Sequence, residues 1–202
     1  MENSPENKGN VLFPVFFKLD KLQTLIVGGG EVGWEKLGMM FRHADNANVT
    51  LVAPEIKEEI ILLAKQYPHN IKLIQKKFQR KDLKGKDLVI AATAIPELNQ
   101  EVRRLAKKKK VIVNVADTPD SCDFYLSSVV KKGDLKIAIS SNGKSPTLTK
   151  RIREMLEDVL PEEVDQLLEK LKDVRNQLKG DFEYKVKKLD EITSVFKERN
   201  KN

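Results

Sequence analysis

Two stretches of this chain carry residue types that could do chemistry. The first is acidic: Asn114-Val115-Ala116-Asp117-Thr118-Pro119-Asp120-Ser121-Cys122-Asp123. Asp117 could act as a general acid or base if partial burial raised its pKa, and Asp120 and Asp123 could assist it or hold a metal transiently. The same residues also make an ordinary Asp-Thr-Pro-Asp turn, and Cys122 alone reads as a small buried residue rather than a nucleophile. The second stretch, Gly28-Gly29-Gly30-Glu31-Val32-Gly33, fits G-x-G-x-x-G. In that pattern Gly28 permits the sharp turn, Gly30 lets a pyrophosphate approach the backbone, and Gly33 lets a helix pack close to a strand. The helix's first N–H groups and positive dipole end then face the phosphates, which is the chemistry of dinucleotide binding.

Other candidates surround these two. The acid that usually holds the adenine ribose should follow about 20 residues later, but the chain there reads Val52-Ala53-Pro54-Glu55. Ribose contacts must then come from backbone near Ala53 and Pro54 or from Glu55. No Arg stands there to welcome a 2′-phosphate, which favours NAD over NADP. Ala91-Ala92-Thr93 ends another strand with small residues that suit either close packing or a cofactor. Ser140-Ser141-Asn142-Gly143-Lys144-Ser145-Pro146 joins a strand to a helix start and offers Ser141, Lys144 and Ser145 to a substrate carboxylate, or simply caps the helix. Lys150, Arg151 and Arg153 add positive charge just beyond. Arg103, Arg104 and Lys107 to Lys110 form a basic helix end without the aromatic interleaving of a nucleic-acid reader. His43 and His69 have no second ligand nearby, and Trp34 reads as packing.

These groups need elements to position them. Thr24–Val27 reads as a buried strand ending at the glycine turn, and residues 31–44 as a helix through Val32, Leu37, Met40, Phe41 and Ala44. Strands are expected at Asn48–Ala53, Ile71–Ile74, Asp87–Thr93 and Val111–Val115, with helices at Glu55–Tyr67 and Glu97–Lys108. That alternation predicts an α/β fold, a Rossmann-type doubly wound parallel sheet with the glycine turn and Asn114–Asp123 at its carboxyl edge. Val11–Phe17 is a further strand or a lead-in. Phe124–Val130 and Leu135–Ser140 predict a β-hairpin about Gly133-Asp134, and Ser145-Pro146 opens a helix with Ser as cap. Val164, Leu167, Leu171, Val174 and Leu178 form a heptad-like seam, interrupted at Gly180-Asp181 and resumed by Phe182, Val186, Leu189, Ile192 and Phe196, for packing in a helical hairpin or against a partner chain. The expected domains are a disordered leader at 1–10, a dinucleotide-binding domain at 11–116, a dimerisation and active-site segment at 117–145, and a helical module at 146–202.

Composition sets the frame. The chain has 202 residues, 40% hydrophobic and 6% aromatic, with 37 Lys and Arg against 30 Asp and Glu for a net charge of +7. This suits one complete core with an appended module and excludes a disordered chain or a large multidomain machine. The modest positive charge favours an anionic partner. A single cysteine closes no intramolecular disulfide, the polar start lacks a signal-like apolar stretch, and no apolar run is long enough to span a bilayer. A cytoplasmic protein with no membrane partner is expected.

The stretches LFPVFFKLDKLQTLIVGGGEVGWEKL, NVTLVAPE, DLVIAAT, VIVNVADTPDSCDFYLSSVV and LKIAISSNGKSPTLTKRIRE resemble, in order, the siroheme synthase dehydrogenase module. That family comprises precorrin-2 dehydrogenases, many of which are also sirohydrochlorin ferrochelatases. The resemblance covers about residues 11–160, and its N-V-x-D and S-S-x-G-x-S-P segments are more specific than the glycine turn. It implies NAD-dependent oxidation of precorrin-2 to sirohydrochlorin, with Fe²⁺ as a further substrate where chelation occurs. On that resemblance Asp117 matches the catalytic aspartate, Glu31-Val32 and Ala53-Pro54-Glu55 match stretches that contact NAD, and Ser141 matches a tetrapyrrole-site residue. Asn114, Lys144 and Ser145 join it as candidate substrate contacts. Family members are typically homodimers that exchange a middle segment. The C-terminal methyltransferase of longer fused members has no counterpart, so uroporphyrinogen methylation is expected elsewhere, and the Lys-rich tail beyond about residue 165 matches nothing in the family. Two other readings stand beside this one. A nucleotide-sensing module that gates potassium uptake would commonly keep an acid where Ala53-Pro54 stands. A basic nucleic-acid-binding scaffold would show salt-dependent retention of DNA or RNA without stabilisation by NAD.

Overall fold

The computed structural model describes residues 12–193; the expected leader at 1–10, Val11 and Phe196 lie outside them. Five parallel strands, β1 (Gln23–Val27), β2 (Asn48–Ala53), β3 (Ile71–Gln75), β4 (Leu88–Ala91) and β5 (Ile112–Val115), form one sheet in the order β3-β2-β1-β4-β5. Helices α1 (Glu31–His43), α2 (Glu58–Gln66) and α3 (Pro96–Lys108) connect β1 to β2, β2 to β3 and β4 to β5. Both sheet faces are apolar, so the strands read as continuous hydrophobic runs. Leu25, Val27, Val52, Val89, Val113 and Val115 meet Val102, Leu105 and Ala106 of α3 on one face. Ile26, Val49, Leu51 and Ile90 meet Leu37, Met40, Phe41 and Ile60 on the other. This is the expected Rossmann-type sheet, with β1 central and the chain reversing direction across it between β2 and β4.

The chain divides into two compact units between Leu126 and Ser127. In the second, β6 (Ser128–Lys132) and β7 (Leu135–Ile139) form the expected antiparallel hairpin. Its turn uses Gly133 at φ 55, and the Asp134 amide donates to the Asp165 carboxylate at 2.8 Å. Helix α4 (Pro146–Val159) packs on β6, and α5 (Val164–Gln177) and α6 (Phe182–Thr193) follow. The seam residues Val164, Leu167, Leu171, Val174 and Leu178 are only half-buried, and Phe182 is 80% exposed.

Several expected boundaries move for physical reasons. Residues 12–17 form no strand and remain largely exposed, with Phe17 edge-on to Phe124 at 6.4 Å. The hairpin's first strand starts at Ser128 rather than Phe124, because Phe124 and Leu126 pack on the core of the first unit. Helix α2 begins at Glu58 rather than Glu55, because the preceding residues lie over the glycine turn. Strand β4 ends at Ala91, which leaves Thr93 in the following loop. No helix among the described residues is long and apolar enough to cross a membrane.

Candidate functional site

The glycine turn stands where β1 leaves the sheet, at the reversal point where such folds open a crevice. Gly28 has φ +126, and a Cβ there would lie 2.2 Å from the Ala92 carbonyl oxygen. Its amide donates to Val52 O at 3.0 Å, so the turn is fastened to both neighbouring strand ends. A Cβ on Gly33 would meet Gly28 O at 2.2 Å, which is the close helix-to-strand approach the motif predicts. Gly30, in contrast, has nothing within 4 Å of its Cβ position. It is the N-cap of α1 and supplies no side-chain cap, which leaves the helix's first amides for an anion. The open face at Gly30, backed by tight packing at Gly28 and Gly33, fits a dinucleotide's phosphates.

Sequence reasoning missed Gly29, which the motif treats as a free position. Its Cβ would lie 2.3 Å from Glu55 O and 2.8 Å from Ala53 Cβ, so only glycine lets the loop after β2 close over the turn. The Lys57 amide completes this closure by donating to Gly29 O at 2.9 Å. Ala53 is buried, Pro54 and Glu55 are exposed, and Gln75 Nε2 donates to Pro54 O at 3.2 Å. Glu31 is ion-paired with Lys57, whose ammonium also lies 3.3 Å from Glu59. The Glu31 hydrogen bond, followed by Glu59, holds the Lys57 pKa above its ordinary value. A backbone hydrogen bond and then Lys57 lower that of Glu59. Val32 is half-buried against the core of α1.

Thr93 is held by a second residue that the sequence did not single out. Asn99 of α3 is buried; its Oδ1 accepts from Thr93 N at 3.1 Å and Thr93 Oγ1 at 2.8 Å, and its Nδ2 donates to Thr93 O at 2.9 Å. One side chain thus fixes the loop after β4, against which Gly28 packs.

The acidic stretch leaves β5 two strands away from β1, about 10 Å across the sheet. Ala116 N donates to Ala91 O at 2.9 Å, and Asp117 follows at φ 58 with its side chain exposed. The partial burial expected for this carboxyl is absent in the single chain. The loop beyond is stapled back to β5. Asn114 is buried and its Nδ2 donates to Phe124 O at 2.8 Å. Asp123 accepts from Val113 N at 3.0 Å and pairs with Lys107, while Arg103 Nε donates to Ser121 O at 3.1 Å. Cys122 Sγ lies 3.2 Å from both the amide and the carbonyl of Val115, and burial pushes its thiol pKa up. Asp123 and Cys122 are therefore used in structure, and Asp120 is exposed. No group of three or more His, Cys, Asp or Glu side chains suited to a metal occurs among the described residues.

In the second unit, Ser145 Oγ accepts from Leu148 N at 3.2 Å, the expected cap. Ser141 Oγ accepts from Ser145 N at 3.0 Å. Asn142 (φ 55) and Gly143 (φ 76) turn the chain between them, and Lys144 is exposed. Both serine hydroxyls act as acceptors here, so each keeps its proton for a ligand. Lys150 and Arg153 pair with Glu154 and Glu157 along α4. His69 is exposed between α2 and β3, and Trp34 packs against the core from the first turn of α1.

Residues 15–128 match a family model described as putative NAD(P)-binding, and residues 132–158 match one described as sirohaem biosynthesis protein central. A siroheme synthase of Psychrobacter sp. (strain PRwf-1) is 39% identical over 168 residues, covering 83% of this chain and 34% of the relative. One of Pseudoalteromonas translucida (strain TAC 125) is 36% identical over 171 residues, covering 85% and 35%. The chain thus spans about a third of the length of these relatives. The solved structure of SirC, a precorrin-2 dehydrogenase, matches with a TM-score of 0.71 at 27% identity, covering 90% of this chain and 89% of that one. The similarity to siroheme synthases and to SirC extends over most of the chain, the second family model runs from Lys132 through β7 into α4, and the first covers more than half of the chain: the chain belongs to the family described as putative NAD(P)-binding.

Proposed function

We propose that this chain binds NAD and oxidises precorrin-2 to sirohydrochlorin in siroheme synthesis. The observation that carries the reading is the open phosphate cradle at Gly30, at the same sheet edge as the stapled loop that presents Asp117. Balance requires one hydride and one proton to leave the substrate, giving sirohydrochlorin, NADH and H⁺ from precorrin-2 and NAD⁺. The bound dinucleotide supplies the hydride acceptor. Gly28, Gly30, Gly33 and the amides of Glu31 and Val32 hold its pyrophosphate. The chain at Ala53, Pro54 and Glu55 borders its adenosine end, and Thr93 its central edge.

Asp117 is the catalytic base in this proposal. It projects from a left-handed backbone position that the Asn114, Cys122 and Arg103 bonds keep in place, so its carboxylate can meet a proton leaving the macrocycle. Asn114 acts through the loop, since its amide is already bonded to Phe124 O. Ser141 and Ser145, which keep donor protons, and the exposed ammonium of Lys144 suit the substrate's carboxylates. A homodimer is part of the proposal, with the half-buried seam of α5 and the exposed Phe182 as surface for it.

The test follows NADH at 340 nm after mixing the protein with precorrin-2 and NAD⁺, followed by addition of Fe²⁺ as substrate. NADH formation matched by sirohydrochlorin supports the dehydrogenase, and its absence refutes it. Conversion of directly supplied sirohydrochlorin to siroheme after iron addition, lost in Asp117→Ala, extends the role of Asp117 to chelation. Sirohydrochlorin that never takes up iron restricts the chain to the oxidation.

A further inference from the structure

The end of β2 lacks the carboxylate that dinucleotide sites of this type place there, yet the space beside it is strongly acidic. Glu31 comes from the glycine turn itself and reaches across to the β2–α2 loop, where it pairs with Lys57. Lys57 is held from the other side by Glu59 at 3.3 Å, and its own amide is bonded to Gly29 O at 2.9 Å. Lys57 is therefore tethered at both ends, to the glycine turn by its backbone amide and to two carboxylates by its ammonium. Glu55 lies on the same short loop and Glu58 opens α2, and both are exposed. The charge of this lysine is thus already shared between two carboxylates, in a stretch of chain that carries two more.

This arrangement bears on which dinucleotide the site accepts, and it rests on the dinucleotide reading above. An adenine ribose carrying two free hydroxyls donates hydrogen bonds, which a carboxylate accepts well. A 2′-phosphate carries between one and two negative charges and needs a free cation or several donors. The nearest cation to the glycine turn in this loop is Lys57, and it is occupied. We propose that Glu31, braced by Lys57, replaces the missing β2 carboxylate as the ribose-reading acid, and that the Glu31–Lys57–Glu59 cluster makes the site select NAD against NADP. The selecting acid has moved from the second strand to the first turn of α1, and Gly29 is what allows the β2–α2 loop to come close enough to hold it.

The decisive variant is Glu31→Gln, which keeps the size of the side chain but removes one carboxylate and releases one arm of Lys57. Direct titration calorimetry with NAD⁺ and with NADP⁺ on the wild-type chain and the variant gives the preference ratio without any turnover. Loss of one charge contact at this range corresponds to roughly a tenfold change in binding. Wild type is expected to favour NAD⁺, and Glu31→Gln to weaken NAD⁺ and strengthen NADP⁺, so that the ratio falls about tenfold. Glu31→Asp, which retains the charge, should keep the preference, and Glu31→Gln combined with Glu59→Gln should move it further towards NADP⁺. Melting curves with each dinucleotide check that all variants fold. A ratio in Glu31→Gln that stays within about threefold of wild type overturns the assignment while leaving dinucleotide binding intact. A wild-type chain that binds neither dinucleotide overturns both this assignment and the proposed function.

Discussion

Replacing Gly33 by alanine separates the packing argument from ordinary helix propensity. In an exposed helix interior, glycine to alanine stabilises by about 1 kcal/mol, because alanine loses less backbone entropy. At Gly33 the new Cβ would stand 2.2 Å from Gly28 O and 2.9 Å from Gly28 C, whereas ordinary contact begins at 3.4 Å. The obstacle is backbone, so α1 or the turn must open by about 1 Å, a strain of roughly 1–3 kcal/mol. That displacement falls on Gly28 and the amides beside Gly30, where productive geometry tolerates about 0.5 Å. Gly33→Ala is therefore expected to melt about 3–6 °C lower than wild type and to bind NAD⁺ about 100-fold more weakly. Gly38 in the same helix is the internal control. Its Cβ would meet only the Trp34 ring, at 3.8 Å, so Gly38→Ala should melt slightly higher and bind NAD⁺ within about twofold of wild type. Thermal melting and titration calorimetry on the three proteins make the comparison. A Gly33→Ala protein as stable as wild type, with unchanged NAD⁺ affinity, would refute the reasoning.

Further outcomes follow from other parts of the molecule. Asp117→Asn should fold and bind NAD⁺ normally, because asparagine accepts the left-handed backbone at φ 58, while precorrin-2 oxidation falls at least about 100-fold in kcat. Asn99→Leu removes the side chain that bonds the Thr93 amide and carbonyl, while the Thr93 hydroxyl keeps Ile95, and should lower stability by about 1–3 kcal/mol in urea titration, with an accompanying loss of NAD⁺ affinity that a purely surface change would not give. Burial raises the Cys122 thiol pKa in the folded chain above its ordinary 9.0, so the folded state holds that proton more tightly than the unfolded state does. Its contribution is complete below pH 9 and is lost as pH climbs through the folded value, so wild type should lose its stability advantage over Cys122→Ala in alkaline denaturation series. A constant gap across that range would contradict the assigned burial.

The sheet and its flanking helices were legible in the sequence because their apolar runs are long, periodic and bounded by glycine or proline. The roles of Gly28 and Gly33 were equally legible, since each follows from local geometry. Gly29 was not, because what forbids a side chain there is Glu55, a contact made only after β2 has paired with β1. The late start of α2 has the same cause: residues that look helical from Glu55 onward are taken up in covering the turn. Asn99 was hidden because a polar residue on an amphipathic helix reads as solvated until the loop it holds is known. Asp117 was found as a candidate, but its exposure and left-handed backbone depend on the bonds that Asn114 and Cys122 make to the surrounding chain. The apolar seam from Val164 to Leu178 was correctly seen as helical, although within one chain it remains half-buried.

The strand order carries a consequence for how the chain reaches this state. β1 sits in the middle of the sheet, and its second neighbour is β4; at the base of that pair the Gln23 amide donates to Asp87 at 2.7 Å across a separation of 64 residues. While the polypeptide emerges from the ribosome, β1, α1, β2, α2 and β3 can assemble early, but one whole edge of β1 stays unpaired until β4 has been synthesised. That edge is apolar and offers a row of free backbone donors and acceptors, the kind of surface that captures stray strands. The interval between synthesis of β3 and β4 is thus the moment of greatest aggregation risk, and slow translation through residues 76–87 would lengthen it.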